Sequence, residues 1–151
     1  MGPTRLLLVD DNPELLRTVI DILQPSYVIA GALSDGTTVV QRAAILRPDI
    51  IILDISLREV TGFDIARRLK KSGFDAKIIF LTVHENVDFI RAAFELGAAA
   101  YVFKSRIVPD LVDALHRVCR GKCFSSGDLA AAGADRQRDS GRIAANPRDP
   151  S

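Results

Sequence analysis

Cysteine is scarce in this chain: two among 151 residues, Cys119 and Cys123. Their i, i+4 spacing could suit half of a metal site, but no second ligand pair accompanies them. They read as two ordinary thiols of a cytosolic protein, and a cytoplasmic location is expected. Long hydrophobic runs are also missing. The longest are strand-sized, far below the roughly 20 residues of a membrane helix, so no membrane partner is expected. The opening MGPTRLLLVDD breaks its apolar stretch with two acids, which argues against a secretory signal. Charge of one sign is lacking too, since the formal net charge is +1. Nothing global therefore points to nucleic acid or to a membrane surface. No internal repeat is evident. What is there is ordinary for one soluble domain: 48% hydrophobic and 26% charged residues.

Strand and helix signals alternate five times along this composition. Residues 5–10 (RLLLVD), 27–32 (YVIAGA), 49–55 (DIIILDI), 77–82 (KIIFLT) and 99–104 read as strands. The third is apolar on both faces and should be central. Asn12-Pro13 suits an N-cap with proline at the first helical position, and Leu15, Leu16, Val19, Ile20 and Leu23 follow at helical spacing. Further helices are expected over 36–46, over 62–71, around Phe89–Leu96 with Gly97 closing it, and from Pro109 to Gly121. Five βα units imply right-handed crossovers and a flavodoxin-like three-layer α/β sandwich, with a five-stranded parallel sheet in the order 2-1-3-4-5. The domain is expected over residues 1–124. Residues 125–151, rich in Gly, Ala, Ser, Asp and Arg, read as a disordered tail with a short helical turn near Leu129.

Four apolar runs end in a polar signal: Asp10-Asp11, Asp54, Thr82 and Lys104. In parallel sheets functional groups gather at the carboxyl ends of the strands. In the expected order strands one and three are neighbours, which brings Asp10, Asp11 and Asp54 together. Carboxylates so placed repel unless a cation sits between them, and magnesium prefers carboxylates, waters and phosphate oxygens. Asp is also a competent nucleophile for phosphoryl transfer. A hydroxyl and an ammonium suit the oxygens of a phosphoryl group. Each residue alone has a plainer reading: a helix cap, a turn, a β-branched strand residue, an exposed strand-end lysine.

The joint spacing of VDDNPE, Asp54 with Gly62 eight residues on, LTVHE and YVFK resembles the receiver domains of two-component response regulators over residues 4–122. The GFDIARRL and LTVHE segments are most similar to the branch that often carries a LuxR-type helix-turn-helix. The resemblance implies that Asp54 is the phosphoacceptor. It implies that Asp11, Asp10 (mainly through water), Asp54 and the backbone carbonyl of Ser56 bind Mg2+. Thr82 and Lys104 would bind the phosphoryl group, and Tyr101 would be a switch that turns inward as Thr82 moves. Ser56 and His84 stand at positions that tune dephosphorylation in that family. The implied donor is a histidine kinase or phosphotransfer protein. The implied output is a downstream protein or a homodimer through the face of the fourth helix, fifth strand and fifth helix, with Phe89, Ile90, Tyr101 and Val108.

Three positions depart from the family pattern. Arg58 stands where proline is usual, and is either solvated or in contact with a partner. Val83 follows the switch threonine where Ala or Gly is common, and could narrow access to Asp54. Ser105 follows the lysine in place of proline. None removes a required group.

The expected function is thus a phosphorylation-dependent switch. The alternative is the receiver part of a transcription regulator lacking its DNA-binding domain; no basic recognition helix is visible, so specific DNA binding is not expected. Two enzyme readings fare worse. A haloacid-dehalogenase-like phosphatase needs an aspartate where Ser56 stands, and a flavin site needs a phosphate-binding loop where acidic DDNPE would repel phosphate. Slow self-dephosphorylation would not make this a turnover enzyme.

Overall fold

Buried apolar runs, each closed by a loop signal, set the element order of the protein. The computed structural model describes residues 2–127. The chain falls into two compact units, Met1–Thr82 and Val83–Ser151.

The first unit holds β1 (Arg5–Val9), α1 (Pro13–Leu23), β2 (Val28–Leu33), α2 (Val39–Leu46), β3 (Ile50–Leu53), α3 (Gly62–Lys71) and β4 (Lys77–Thr82), with a 3-10 turn over Gly36–Thr38. Its strands stand in the order β2-β1-β3-β4, the expected one, and all three pairings are parallel. Leu6 to Val9 and Ile50 to Leu53 are buried on both faces. That is why these runs are continuous rather than alternating. Each such aliphatic side chain contributes roughly 1.5–3 kcal/mol on burial. Asn12 caps α1 as expected, its side chain accepting from the N–H groups of Glu14 at 3.0 Å and Leu15 at 3.3 Å. Thr61 caps α3 by accepting from Asp64 N–H at 3.1 Å. The helix expected over 36–46 starts as the 3-10 turn and ends on Arg47, whose φ of 52° is left-handed. Pro48 then prevents continuation.

The second unit holds α4 (Val87–Glu95), β5 (Ala100–Phe103), α5 (Ile107–Cys119) and β6 (Phe124–Ser125), with a 3-10 turn over Lys104–Arg106. Gly97, at φ 91°, closes α4 with Gly97 N–H on Phe94 O at 3.0 Å and Ala98 N–H on Ala93 O at 3.1 Å. Only a residue without Cβ takes that conformation cheaply. The last helix begins at Ile107, two residues ahead of Pro109. Proline is tolerated there because first-turn N–H groups have no partner within the helix. β6 is a sixth strand against the five expected, parallel to β5, and it straddles the boundary expected after residue 124. Ser126 then ties the chain down. Its N–H donates to Tyr101 O at 2.8 Å, its Oγ donates to Asp110 Oδ2 at 2.7 Å, and the same Oγ accepts from Phe103 N–H at 3.1 Å. The helical turn expected near Leu129, and the tail from 128 onward, lie outside the described residues.

Candidate functional site

Register decides which strand-end residues meet. β1 and β3 pair Val9 with Leu53, so the next residues, Asp10 and Asp54, leave the sheet side by side. The ladder continues one step beyond the strands, with Asp54 N–H donating to Val9 O at 3.0 Å and Asp10 N–H to Leu33 O at 3.0 Å. β4 pairs Phe80 with Leu53, which leaves Thr82 one residue beyond the level of Asp54. Thr82 is fully buried.

Asp10, Asp11 and Asp54 each offer a carboxylate oxygen, and these oxygens lie within 4.8 Å of one another. Asp10 and Asp54 are each only 4% exposed. Three hard oxygen donors so close, two of them largely out of water, suit a small divalent cation. The loops hold this geometry. Asp10 Oδ1 accepts from Asn12 N–H at 2.9 Å, and Asp54 Oδ1 from Ser56 N–H at 3.3 Å. The loop after Asp54 is closed by an antiparallel bridge between Ser56 and Thr61 and by Gly62 N–H on Ile55 O at 2.7 Å. Gly62 is required there by close approach: a Cβ would run into the Asp54 carbonyl oxygen and stand 2.8 Å from Ile55 Cα.

Arg58, on that loop, places Nε 3.9 Å from Asp11 Oδ2. The sequence offered solvent or a partner for Arg58, and missed this contact. The one available signal was its position four residues after Asp54 on a loop that must pass the strand ends.

Lys104, Tyr101, Val83 and His84 belong to the second unit. Lys104 is half-buried and opens the 3-10 turn rather than ending β5. Tyr101 is fully buried, and its hydroxyl donates to His84 O at 2.7 Å. Its ring is thus already inward. His84 stacks on Phe89 with ring centroids 4.3 Å apart. Val83 is 61% exposed. Ser105 Oγ donates to Glu85 Oε2 at 2.7 Å, linking the two loops of this unit. Of the four residues expected on the partner face, Ile90 and Tyr101 are buried, Phe89 is half-buried, and Val108 is 80% exposed.

A family model described as the response regulator receiver domain matches residues 6–116. The chain belongs to that family. Receiver domains are signalling domains of two-component systems rather than turnover enzymes. Among curated relatives, the nitrate/nitrite response regulator NarL of Escherichia coli K12 is 27% identical over 157 aligned residues, covering 97% of this chain and 73% of that protein. The Haemophilus influenzae homolog of that regulator is 28% identical, covering 83% of this chain and 61% of its own length. A crystal structure of a LuxR-family two-component response regulator from Aurantimonas sp. SI85-9A1 superposes with a TM-score of 0.79 at 26% identity, covering 91% of this chain and 99% of that one. The isolated receiver domain of RcsB from Salmonella enterica shares the fold at a TM-score of 0.76 and 22% identity, over 87% of this chain and 98% of that chain. The parallel α/β receiver fold and the likeness to the LuxR-type branch both agree with the sequence. Among the described residues, no helix of this receiver domain is long and apolar enough to cross a membrane.

Proposed function

We propose that this receiver domain takes a phosphoryl group onto Asp54 and works as a cytoplasmic two-component switch. The observation that carries the reading is the gathering of Asp10, Asp11 and Asp54 within 4.8 Å at the strand ends. Asp10, Asp11, Asp54 and the carbonyl of Ser56 would hold Mg2+. When bound, the ion would neutralise the carboxylates and the charge on the transferring phosphoryl oxygens. An Asp54 carboxylate oxygen attacks the phosphorus of a phosphohistidine on a kinase or phosphotransfer protein. The new O–P bond forms as the P–N bond breaks, and the imidazole keeps the electron pair and takes up a proton. The hydroxyl of Thr82 and the ammonium of Lys104 would bind phosphoryl oxygens, the charge-assisted bond of lysine being the stronger.

The output would run through Thr82 and Tyr101 to a downstream protein or a second copy at the face of α4, β5 and α5. Since Tyr101 is inward already, phosphorylation would stabilise that state rather than create it. Ser56, Val83 and His84 would tune how long the acyl phosphate lasts, and water would slowly remove it. A second reading has its own support. Relatives such as LiaR of Bacillus subtilis carry the name transcriptional regulatory protein, and the match spans 67% of its length. The chain would then be the receiver part of such a regulator.

Intact mass after incubation with Mg2+ and a small phosphodonor tests the assignment. The wild type should gain one phosphoryl group and Asp54→Asn none. Equal gain by the variant would sink it. If Val83 hinders the small donor, Val83→Ala should speed the gain.

A further inference from the structure

We propose that Arg58 is a positioning residue for Asp11, acting as a resident cation that holds down the affinity of the acid cluster for its divalent ion. The inference rests on the reading of Asp10, Asp11 and Asp54 as a Mg2+ site. The loop carrying Arg58 is closed by the Ser56–Thr61 bridge and the Gly62–Ile55 hydrogen bond, so its backbone is held while the side chain reaches over. Arg58 Nε lies 3.9 Å from Asp11 Oδ2, and the Asp11 side chain is 29% exposed. A guanidinium at that distance offsets one of three gathered carboxylates. It relieves their mutual repulsion before any metal arrives, and a divalent ion must then displace or share it.

The effect is electrostatic between partly exposed groups, so salt screens it. Arg58 is 82% exposed, so its influence is that of a surface pair, real but small. A proline at this position would have no charge to offer. The departure at Arg58 therefore changes metal affinity rather than only loop stiffness.

Calorimetric titration of MgCl2 into the full chain decides the matter. Arg58→Ala should bind Mg2+ about two- to fivefold more tightly than wild type at low ionic strength, within the range open to exposed pairs. The gap should close near 0.5 M salt, where the screening length falls to a few ångströms. Arg58→Lys, which keeps the charge, should stay close to wild type. Unchanged or weaker Mg2+ binding by Arg58→Ala, with the wild type binding normally, overturns this inference and leaves the Mg2+ site intact. A wild type that binds no Mg2+ overturns both.

Discussion

Two sets of buried aspartates use the same side chain in opposite ways. In the second unit Asp110, 7% exposed, is enclosed by partners. Arg106 donates to it from Nε at 2.9 Å and from Nη2 at 3.4 Å, and Ser126 Oγ donates at 2.7 Å. The hydrogen bond and charge of Asp110 push the Arg106 guanidinium further above its ordinary value. In the first unit Asp10 and Asp54 are as deeply buried, but they are grouped with Asp11, a third acid. A buried carboxylate surrounded by donors is a tie that fixes a strand. Carboxylates gathered side by side repel one another, even where loop N–H groups donate to them, and a cation relieves that repulsion. The first arrangement holds structure together; the second is the one the proposed function would use, at some cost in stability.

The largest expected effect comes from removing the tie. Asp110→Ala should cost about 3 kcal/mol, since it strips a charged acceptor from an arginine and a serine together. Urea unfolding measures this, and a loss near zero would mean that Asp110 does not hold β6 to β5. Next, Gly62→Ala should cost about 2 kcal/mol and distort the Asp54 loop, because a backbone clash cannot be relieved by a side-chain rotation. Phosphoryl gain should fall along with the unfolding midpoint.

Asp10→Asn should go the other way. With one charge taken from the cluster, the metal-free protein should gain about 1 kcal/mol, a few degrees in melting temperature. The stabilisation that Mg2+ gives the wild type should shrink at the same time. A lower melting temperature without Mg2+ would show that the acids of the cluster are as well supported as Asp110, and the contrast would fail.

The smallest effect concerns an acid of neither kind. Exposed Asp35 accepts from Thr37 Oγ1 at 2.7 Å and Thr37 N–H at 2.9 Å. These bonds, that of the Thr37 side chain first, hold its pKa below the ordinary 3.8. A carboxyl depressed in the folded state stabilises the fold above its unfolded value. That contribution disappears as pH falls through the lower, folded value. Asp35→Ala should therefore be slightly less stable than wild type at neutral pH and equal to it at strongly acidic pH. A deficit that persists in acid would assign the loss to packing instead.

Much of the site could be read in the chain because it sits at ends of apolar runs. Asp10 after LLLV and Asp54 after IIIL are marked by where burial stops, and burial is written locally in side-chain type. The misses share another origin. β6 spans two residues, too few to show any periodicity, and exists because β5 offers it an edge and Ser126 finds Asp110. The reach of Arg58 to Asp11 depends on how one loop passes another. Lys104 lies at the head of a 3-10 turn rather than at a strand end, and the last residue of that turn, Arg106, is bonded to Asp110 in the first turn of α5.

The sequence by itself determined the alternation of strands and helices, the caps at Asn12 and Gly97, and which polar residues interrupt buried runs. Each follows from interactions within a few residues and from the transfer of apolar side chains out of water. Only the tertiary structure decided that three of those acids lie within 4.8 Å, that Arg58 stands beside one of them, and that Asp110 is a tie and no part of that group. Strand register and loop closure set these distances, and both join residues far apart in the chain, where no local pattern can record them.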